Sequence, residues 1–177
     1  MNTVMDGIET GSLLYTETQR FRYSWILLLV GFVAILTWYA FLQQVIFRIP
    51  FGDNPGSDTL VVILLGAFGI LLPVLFVVLR LDIRITPAAL WFRFFPLHLR
   101  WREVPLATIA GARAVVYRPL FEYGGWGIRL GKKGWAYTIS GNRGVQVTLK
   151  DGTSFLLGSQ RERQIEAILH SLSAAGR

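Results

Sequence analysis

The chain contains no cysteine and only two histidines. Without cysteine there can be no disulfide, thiolate metal site, iron–sulfur cluster or cysteine nucleophile. His98 and His170 lie far apart on different elements, so no imidazole-based metal centre is expected. Acidic residues are scarce as well, with 11 Asp and Glu against 18 Lys and Arg, for a formal net charge of +7. From Leu81 onward the acids are only Asp82, Glu103, Glu122, Asp151, Glu162 and Glu166. Asp151 is read into a turn and Glu162 into a helix cap, which leaves no paired carboxylates and no Ser/His/Asp set. No catalytic residue, cofactor site or metal site is therefore assigned. The glycines match neither a P-loop nor GxGxxG after a strand, and no helix-turn-helix or RNP signature is present, so no nucleic-acid partner is expected.

What the chain has in excess is apolar sequence. Hydrophobic residues make up 53% of it, and they concentrate between Tyr23 and Leu79. The runs Tyr23 to Leu42 and Leu60 to Leu79 carry no charge. At about 1.5 Å rise per residue each matches a hydrocarbon core of about 30 Å. They are apolar on all sides, whereas a helix at the surface of a soluble fold turns one face to water. The first run is too long, and followed by the wrong residues, for a cleaved signal peptide. Pro50, Gly52, Pro55 and Gly56 between the runs predict a reversal, with Asp58 and Thr59 capping the second helix.

These features predict a two-helix membrane hairpin over 23–80, with helices near 23–47 and 59–79 and an external loop at 48–58. Residues 1–22 form an N-terminal segment before it. Arg20 and Arg22 precede the first span and Arg80, Arg84, Arg93 and Arg100 follow the second, against Arg48 alone in the loop, so both termini are expected in the cytoplasm. Trp38 and Tyr39, about one turn inside the far interface, read as aromatic-belt residues or as a partner contact. Pro73 is expected to kink the second helix slightly, and Gly66 and Gly69 to allow close packing.

From Leu81 the hydrophobic period changes to two. Leu81/Ile83/Ile85, Leu90/Phe92/Phe94 and Leu97/Leu99/Trp101 alternate with polar residues. Further strands are expected over Arg113 to Tyr117, Gly127 to Leu130, Trp135 to Ile139, Val145 to Leu149 and Ser154 to Leu157. Asp151-Gly152 predicts a tight hairpin, since glycine accepts the positive φ such a turn requires. Ser159 and Glu162 read as a capping box opening an amphipathic helix with Ile165, Ile168, Leu169 and Leu172 on one face. The fold expected for 81–177 is a small antiparallel β-barrel closed by one C-terminal helix.

A two-helix hairpin running directly into such a domain resembles the bacterial membrane proteins that carry a pleckstrin-homology-like (bacterial PH) domain. The matching stretches are Ile83-Arg84-Ile85-Thr86, Trp101-Arg102-Glu103-Val104-Pro105 to Ile109, and Asp151-Gly152 through Gly158-Ser159-Gln160 into the last helix. The resemblance implies a PH-like fold at the inner membrane rather than a defined activity.

The segment from Leu81 onward holds 14 Lys and Arg against 6 Asp and Glu, a formal +8. Candidate anion or lipid contacts are Arg84, Arg93, Arg100 and Arg102 on alternating positions, and Arg118, Arg129 and Arg143 beside the glycine-rich stretches 123–127 and 140–144. The same glycines fit tight turns. Candidate partner contacts are Trp38, Tyr39, Trp91, Trp126 and Trp135, since Trp, Tyr and Arg anchor interfaces. The leading expectation is a non-enzymatic accessory or scaffold subunit of a larger bioenergetic, transport or envelope complex. The alternative is a module that binds anionic lipid or a phosphorylated ligand.

Overall fold

The computed structural model describes residues 13–175. It divides into a helical unit, Phe21–Leu79, and a β-rich unit made of residues up to Arg20 together with those from Arg80 onward.

The helical unit holds α1 (Trp25–Ile46) and α2 (Asp58–Val78), both long and apolar enough to cross a membrane. Only 6% and 11% of their most apolar windows are buried within the chain, so both leave their apolar faces uncovered by the rest of the molecule. Each contains a wider π-helical stretch, Leu42–Ile46 in α1 and Leu65–Leu71 in α2. The start of α2 differs from the sequence expectation. Ser57 caps it, its hydroxyl accepting from the Leu60 N–H at 3.3 Å. Asp58 instead accepts from Gln44 Nε2 at 2.9 Å and pairs with Arg48 at 3.1 Å, so its carboxylate holds the interhelical turn.

Midway along the hairpin the backbones approach closely at Gly69. A Cβ there would lie 2.8 Å from Thr37 Oγ1 and 2.7 Å from Leu65 Cδ1, whereas one at Gly66 would meet open space. Pro73, four residues after Gly69, has no N–H to offer the Gly69 carbonyl in an α-helical ladder. The Trp38 indole N–H donates to that carbonyl at 3.2 Å. Trp38 thus donates across the helix pair to a carbonyl next to the stretch where Pro73 interrupts the helical ladder. Tyr39 packs edge-on against Phe51 with ring centroids 6.0 Å apart.

The β-rich unit contains two sheets. In the first, β1 (Tyr15–Arg20), β2 (Arg80–Ile85), β3 (Ala89–Phe95) and β4 (Arg102–Pro105) lie in sequence order, all antiparallel. In the second, β5 (Ile109–Val116), β6 (Gly127–Gly131), β7 (Gly134–Thr138), β8 (Arg143–Leu149) and β9 (Ser154–Gly158) take the order β5-β8-β9-β7-β6. Its pairs are antiparallel except β7 with β9.

These strands form two sheets rather than the single small barrel, closed by its last helix, that the sequence leads one to expect. The break falls after β4, where Pro105 lacks a ladder donor and a 3-10 turn at Leu106–Thr108 redirects the chain. The stretch Leu97 to Trp101, read as a strand, is a loop, because Pro96 interrupts donation directly after β3. The segment 1–22, read as a separate N-terminal piece, contributes β1 to the same sheet as β2. Its inward side is polar and held by specific bonds. Glu17 accepts from Tyr15 Oη at 2.8 Å and Ser159 Oγ at 2.7 Å, and Gln19 donates to the Gly158 carbonyl at 2.7 Å. Burial, aided by Glu17, pushes the Tyr15 phenol far above its ordinary pKa.

Leu81, Ile83, Leu90 and Phe94 of the first sheet and Val145, Val147 and Leu157 of the second are almost fully buried. Phe92 joins the sheets, 5.5 Å from the Phe155 ring and 4.8 Å from Tyr137. The short α3 (Pro119–Tyr123) sets Tyr123, with Tyr117, over Ala136 and Leu156 on the opposite face of the second sheet. The terminal α4 (Glu162–Ala175) packs Ile165 and Leu169 toward β5 and β8. The expected capping box does not form. The Ser159 hydroxyl takes the Arg161 N–H at 2.9 Å because the helix begins only at Glu162.

Replacing Trp38 by Phe keeps the ring but removes the donor to Gly69, and should lower hairpin stability by about 1 kcal/mol. Gly69→Leu should cost more, since the added side chain enters occupied space. Thermal unfolding of the full chain in detergent, followed by circular dichroism, checks both. Wild-type stability in Trp38→Phe would refute the bridging role.

Candidate functional site

The solvent-facing side of the first sheet gathers the most distinctive chemistry of the β-rich unit. Residues directly opposite in antiparallel strands project to the same face, so the strand register arranges this face in rows. Arg20 stands opposite Arg80, which stands opposite Phe95. Thr18, Asp82 and Arg93 form the next row, and Thr16, Arg84, Trp91 and Glu103 the third. The alternation that turns Leu81, Ile83 and Ile85 to the core places Arg80, Asp82 and Arg84 on the other face, where Asp82 is itself buried beneath its partners.

Asp82 organises the middle of this face. Its Oδ2 pairs with Arg93 at 3.0 Å and Arg80 at 3.2 Å, and its Oδ1 accepts from Thr18 Oγ1 at 2.9 Å. One carboxylate therefore serves two guanidinium groups, and the local balance stays positive. The Arg93 side chain is 16% exposed. The indole of Trp101 lies 4.4 Å from the Arg84 guanidinium and 4.6 Å from that of Arg93. Phe95 packs 5.1 Å from Arg80 and 5.8 Å from Arg93. Such cation–π contacts hold guanidinium groups in place without neutralising them. Among the described residues Arg20, Arg84 and Arg100 have no carboxylate partner.

The other expected site residues are distributed differently. Arg100 lies exposed in the β3–β4 loop, beside a recess lined by Trp91, Leu99 and Trp101. Arg102 turns to the inner side, donating to Tyr137 Oη at 2.7 Å with its guanidinium 5.4 Å from that ring. Burial raises the Tyr137 phenol, against the opposing effect of Arg102. Arg118 begins α3, where its backbone N–H donates to Glu122. Arg129 is exposed on edge strand β6 and bonds the Trp126 carbonyl at 3.3 Å. Arg143 opens β8, 3.7 Å from Glu162. Strands β7 and β9 separate Arg129 from Arg143, about 14 Å across the sheet at ordinary strand spacing. The neighbouring Gly124, Gly125, Gly127 and Gly141 have positive φ, and Gly124 closes α3 in the left-handed conformation.

Among the expected partner contacts, Trp126 is held by its indole N–H on the Gly141 carbonyl at 2.8 Å. Trp135 is 48% exposed and stands opposite Leu130, itself 67% exposed. Trp91 belongs to the arginine face. Sequence reasoning assigned no site role to Trp101, Asp82, Arg20 or Arg80. The register around the Thr86–Ala89 turn carries the signal for Asp82, placing it opposite Arg93, whereas no period reveals Trp101, which reaches the face from a loop. The face offers guanidinium donors and aromatic surfaces. Among the described residues no cluster of His, Asp and Glu could hold a metal ion.

On the inner side, His98 packs 5.8 Å from Tyr137 and its Nδ1 is buried without a hydrogen-bond partner. Burial, and then Arg102, lowers its pKa.

Two measurements follow. Asp82→Ala leaves Arg93 without its carboxylate and should destabilise the chain by about 2–3 kcal/mol, below the loss for a fully buried pair because Arg93 keeps some solvent. Denaturant unfolding with an unchanged midpoint would contradict the organising role. Because folding holds His98 in its neutral form, the unfolded chain takes up the proton first. Stability should be constant above about pH 6.5, the unfolded value, and decline as pH falls below it. His98→Gln should flatten that decline in melting curves taken across the interval.

Comparison with known proteins places these features in a wider group without supplying a role. No curated protein and no solved structure matches the chain. A protein-family model does match, over residues 5–164 of the 177. The chain thus belongs to a family of unknown function, DUF6141.

Proposed function

We propose that this chain is a non-enzymatic accessory or scaffold subunit of the bacterial inner membrane, packing against a larger bioenergetic, transport or envelope complex. In this reading α1 and α2 cross the bilayer, both termini are cytoplasmic, and the two-sheet unit with its terminal helix is a PH-like domain.

The observation that carries the proposal is the pairing of Arg20 with Arg80. The chain leaves the first sheet at one of these residues and returns at its cross-strand neighbour. The two helices therefore begin and end on one side of whatever they cross, which supports a hairpin with the termini together. Arg20 and Arg22 at the start and Arg80 and Arg84 at the end put the basic residues on that side, where the positive-inside rule expects the cytoplasm. Two covalent connections, after Arg20 and before Arg80, join the domain to the helices.

Exposed apolar side chains supply candidate contacts for a protein partner. Phe121 is 88% exposed and Leu120 63%, both on α3, with Leu130 and Trp135 nearby in sequence order on β6 and β7. β6 is also an edge strand of its sheet, and edges of this kind accept added strands from partners. A second reading, an anionic-lipid or phosphorylated-ligand module, is favoured by the arginine face with Trp101. It draws on Arg84 and Arg93 more than on Arg118, Arg129 and Arg143.

Purification in mild detergent at native expression, followed by mass spectrometry, should recover the chain with defined membrane-protein partners. Phe121→Asp combined with Leu130→Asp should reduce their recovery several-fold while the chain stays in the membrane fraction. Recovery as a free monomer alone would count against the accessory role.

A further inference from the structure

The β3–β4 loop, Pro96 to Trp101, has a composition and a position that the accessory reading does not use. Its leucines point outward, Leu97 being 61% and Leu99 73% exposed. His98 between them turns inward onto Tyr137. A loop could have hidden such side chains in the adjoining core. Here the inward place is taken by a histidine, and two large apolar groups are left at the tip.

The position follows from register. The loop starts directly after Phe95, which stands opposite Arg80, which stands opposite Arg20. Those two arginines are the residues at which the chain departs for α1 and returns from α2. The loop therefore emerges at the helix-connected end of the sheet, about two strand spacings, or 10 Å, from the farther of the two exits. Arg20 and Arg80 are like charges placed directly opposite each other, an arrangement that costs stability unless an anion lies nearby. Asp82 compensates Arg80, while Arg20, and with it Arg84 and Arg100 around the loop, has no carboxylate among the described residues. Trp101, beside the Arg84 and Arg93 guanidinium groups, completes a set of leucine, tryptophan and arginine. That combination suits the boundary between acyl chains and anionic headgroups.

We propose that the loop from Pro96 to Trp101 inserts Leu97 and Leu99 into the surface of a bilayer bearing anionic phospholipid, with Arg20, Arg84 and Arg100 contacting the phosphates. This proposal rests on the hairpin crossing a membrane, and it adds a third point of attachment to lipid, supplied by the β-rich unit itself. Charge selects the bilayer as occupant. An apolar tip with arginines that have no carboxylate partner among the described residues matches a surface that offers hydrocarbon and phosphate together.

The absence of native cysteine makes the test direct. Full-length Leu99→Cys, labelled with an environment-sensitive fluorophore, is reconstituted into nanodiscs of phosphatidylcholine with or without phosphatidylglycerol. Leu130→Cys, labelled in the same way, serves as the reference site on the second sheet. With phosphatidylglycerol present, the label at 99 should emit at shorter wavelength, be quenched by doxyl lipids, and be several-fold less accessible to iodide than the label at 130. Adding Arg84→Gln and Arg100→Gln should restore iodide access at 99. Iodide access at 99 equal to that at 130 in both lipids would overturn the proposal, and equal protection in both lipids would overturn the role given to the arginines. Failure of the chain to co-float with lipid vesicles would instead overturn the membrane hairpin, so the two failures are distinguishable. Circular dichroism of each variant confirms that a loss of protection is not a loss of fold.

Discussion

The antiparallel ladder between β1 and β2 is the constraint on which the remaining organisation depends. It joins residues on either side of the whole helical unit, from Tyr15 opposite Ile85 to Arg20 opposite Arg80. In effect α1, α2 and the turn between them are the loop of a β-hairpin. Because the ladder fixes both ends of that loop, it also fixes which residues flank the helices and which face of the sheet carries the arginines. Its stability comes from more than the ladder bonds. Glu17 and Gln19 tie β1 to the Gly158–Gln160 segment, so the first strand is fastened to the second sheet as well as the first.

The two units keep their polar groups satisfied in different ways, reflecting the solvents they suit. In the helical unit exposed side chains are overwhelmingly apolar, and polar groups are paired internally, as with Gln44 on Gly56 and Trp38 on Gly69. Hydrocarbon offers no replacement partner for a carbonyl that loses its donor, so these bonds carry more weight there than in water. In the β-rich unit the core is conventional, and the unusual feature lies outside it. Asp82 gathers two arginines and a threonine, and the aromatic rings of Phe95 and Trp101 hold the guanidinium groups in position.

Much of this was legible from the residues. The helices were readable because apolarity on every side has one ready explanation. β2, β3 and β5 through β9 were readable from the period-two pattern and β-branched or aromatic content of their sequences, although only β3 keeps a clear alternation in its burial, since β2 and β9 are covered on both faces. β1 was not, since Tyr-Thr-Glu-Thr-Gln-Arg turns a half-buried Glu17 and a buried Gln19 inward where the period leads one to look for hydrocarbons. Leu97 to Trp101 misled for the opposite reason. The alternation is present, but Pro96 ends the ladder, and the leucines point outward. Closure into a barrel was likewise invisible to a local reading, because whether two edges meet depends on the turn after Pro105. For the candidate site, Arg84 and Arg93 were found from alternation alone, whereas Trp101 required knowing that the loop folds back over the sheet.

Interrupting one sheet with two apolar helices also has a consequence for biosynthesis. β1 leaves the ribosome early, and its partner follows only after both helices have been made. During that interval Tyr15 to Arg20 has no β2 ladder to join, and the pairing can form only once both helical segments have been synthesised. Assembly of the β-rich unit is thereby subordinated in time to the making of the helices.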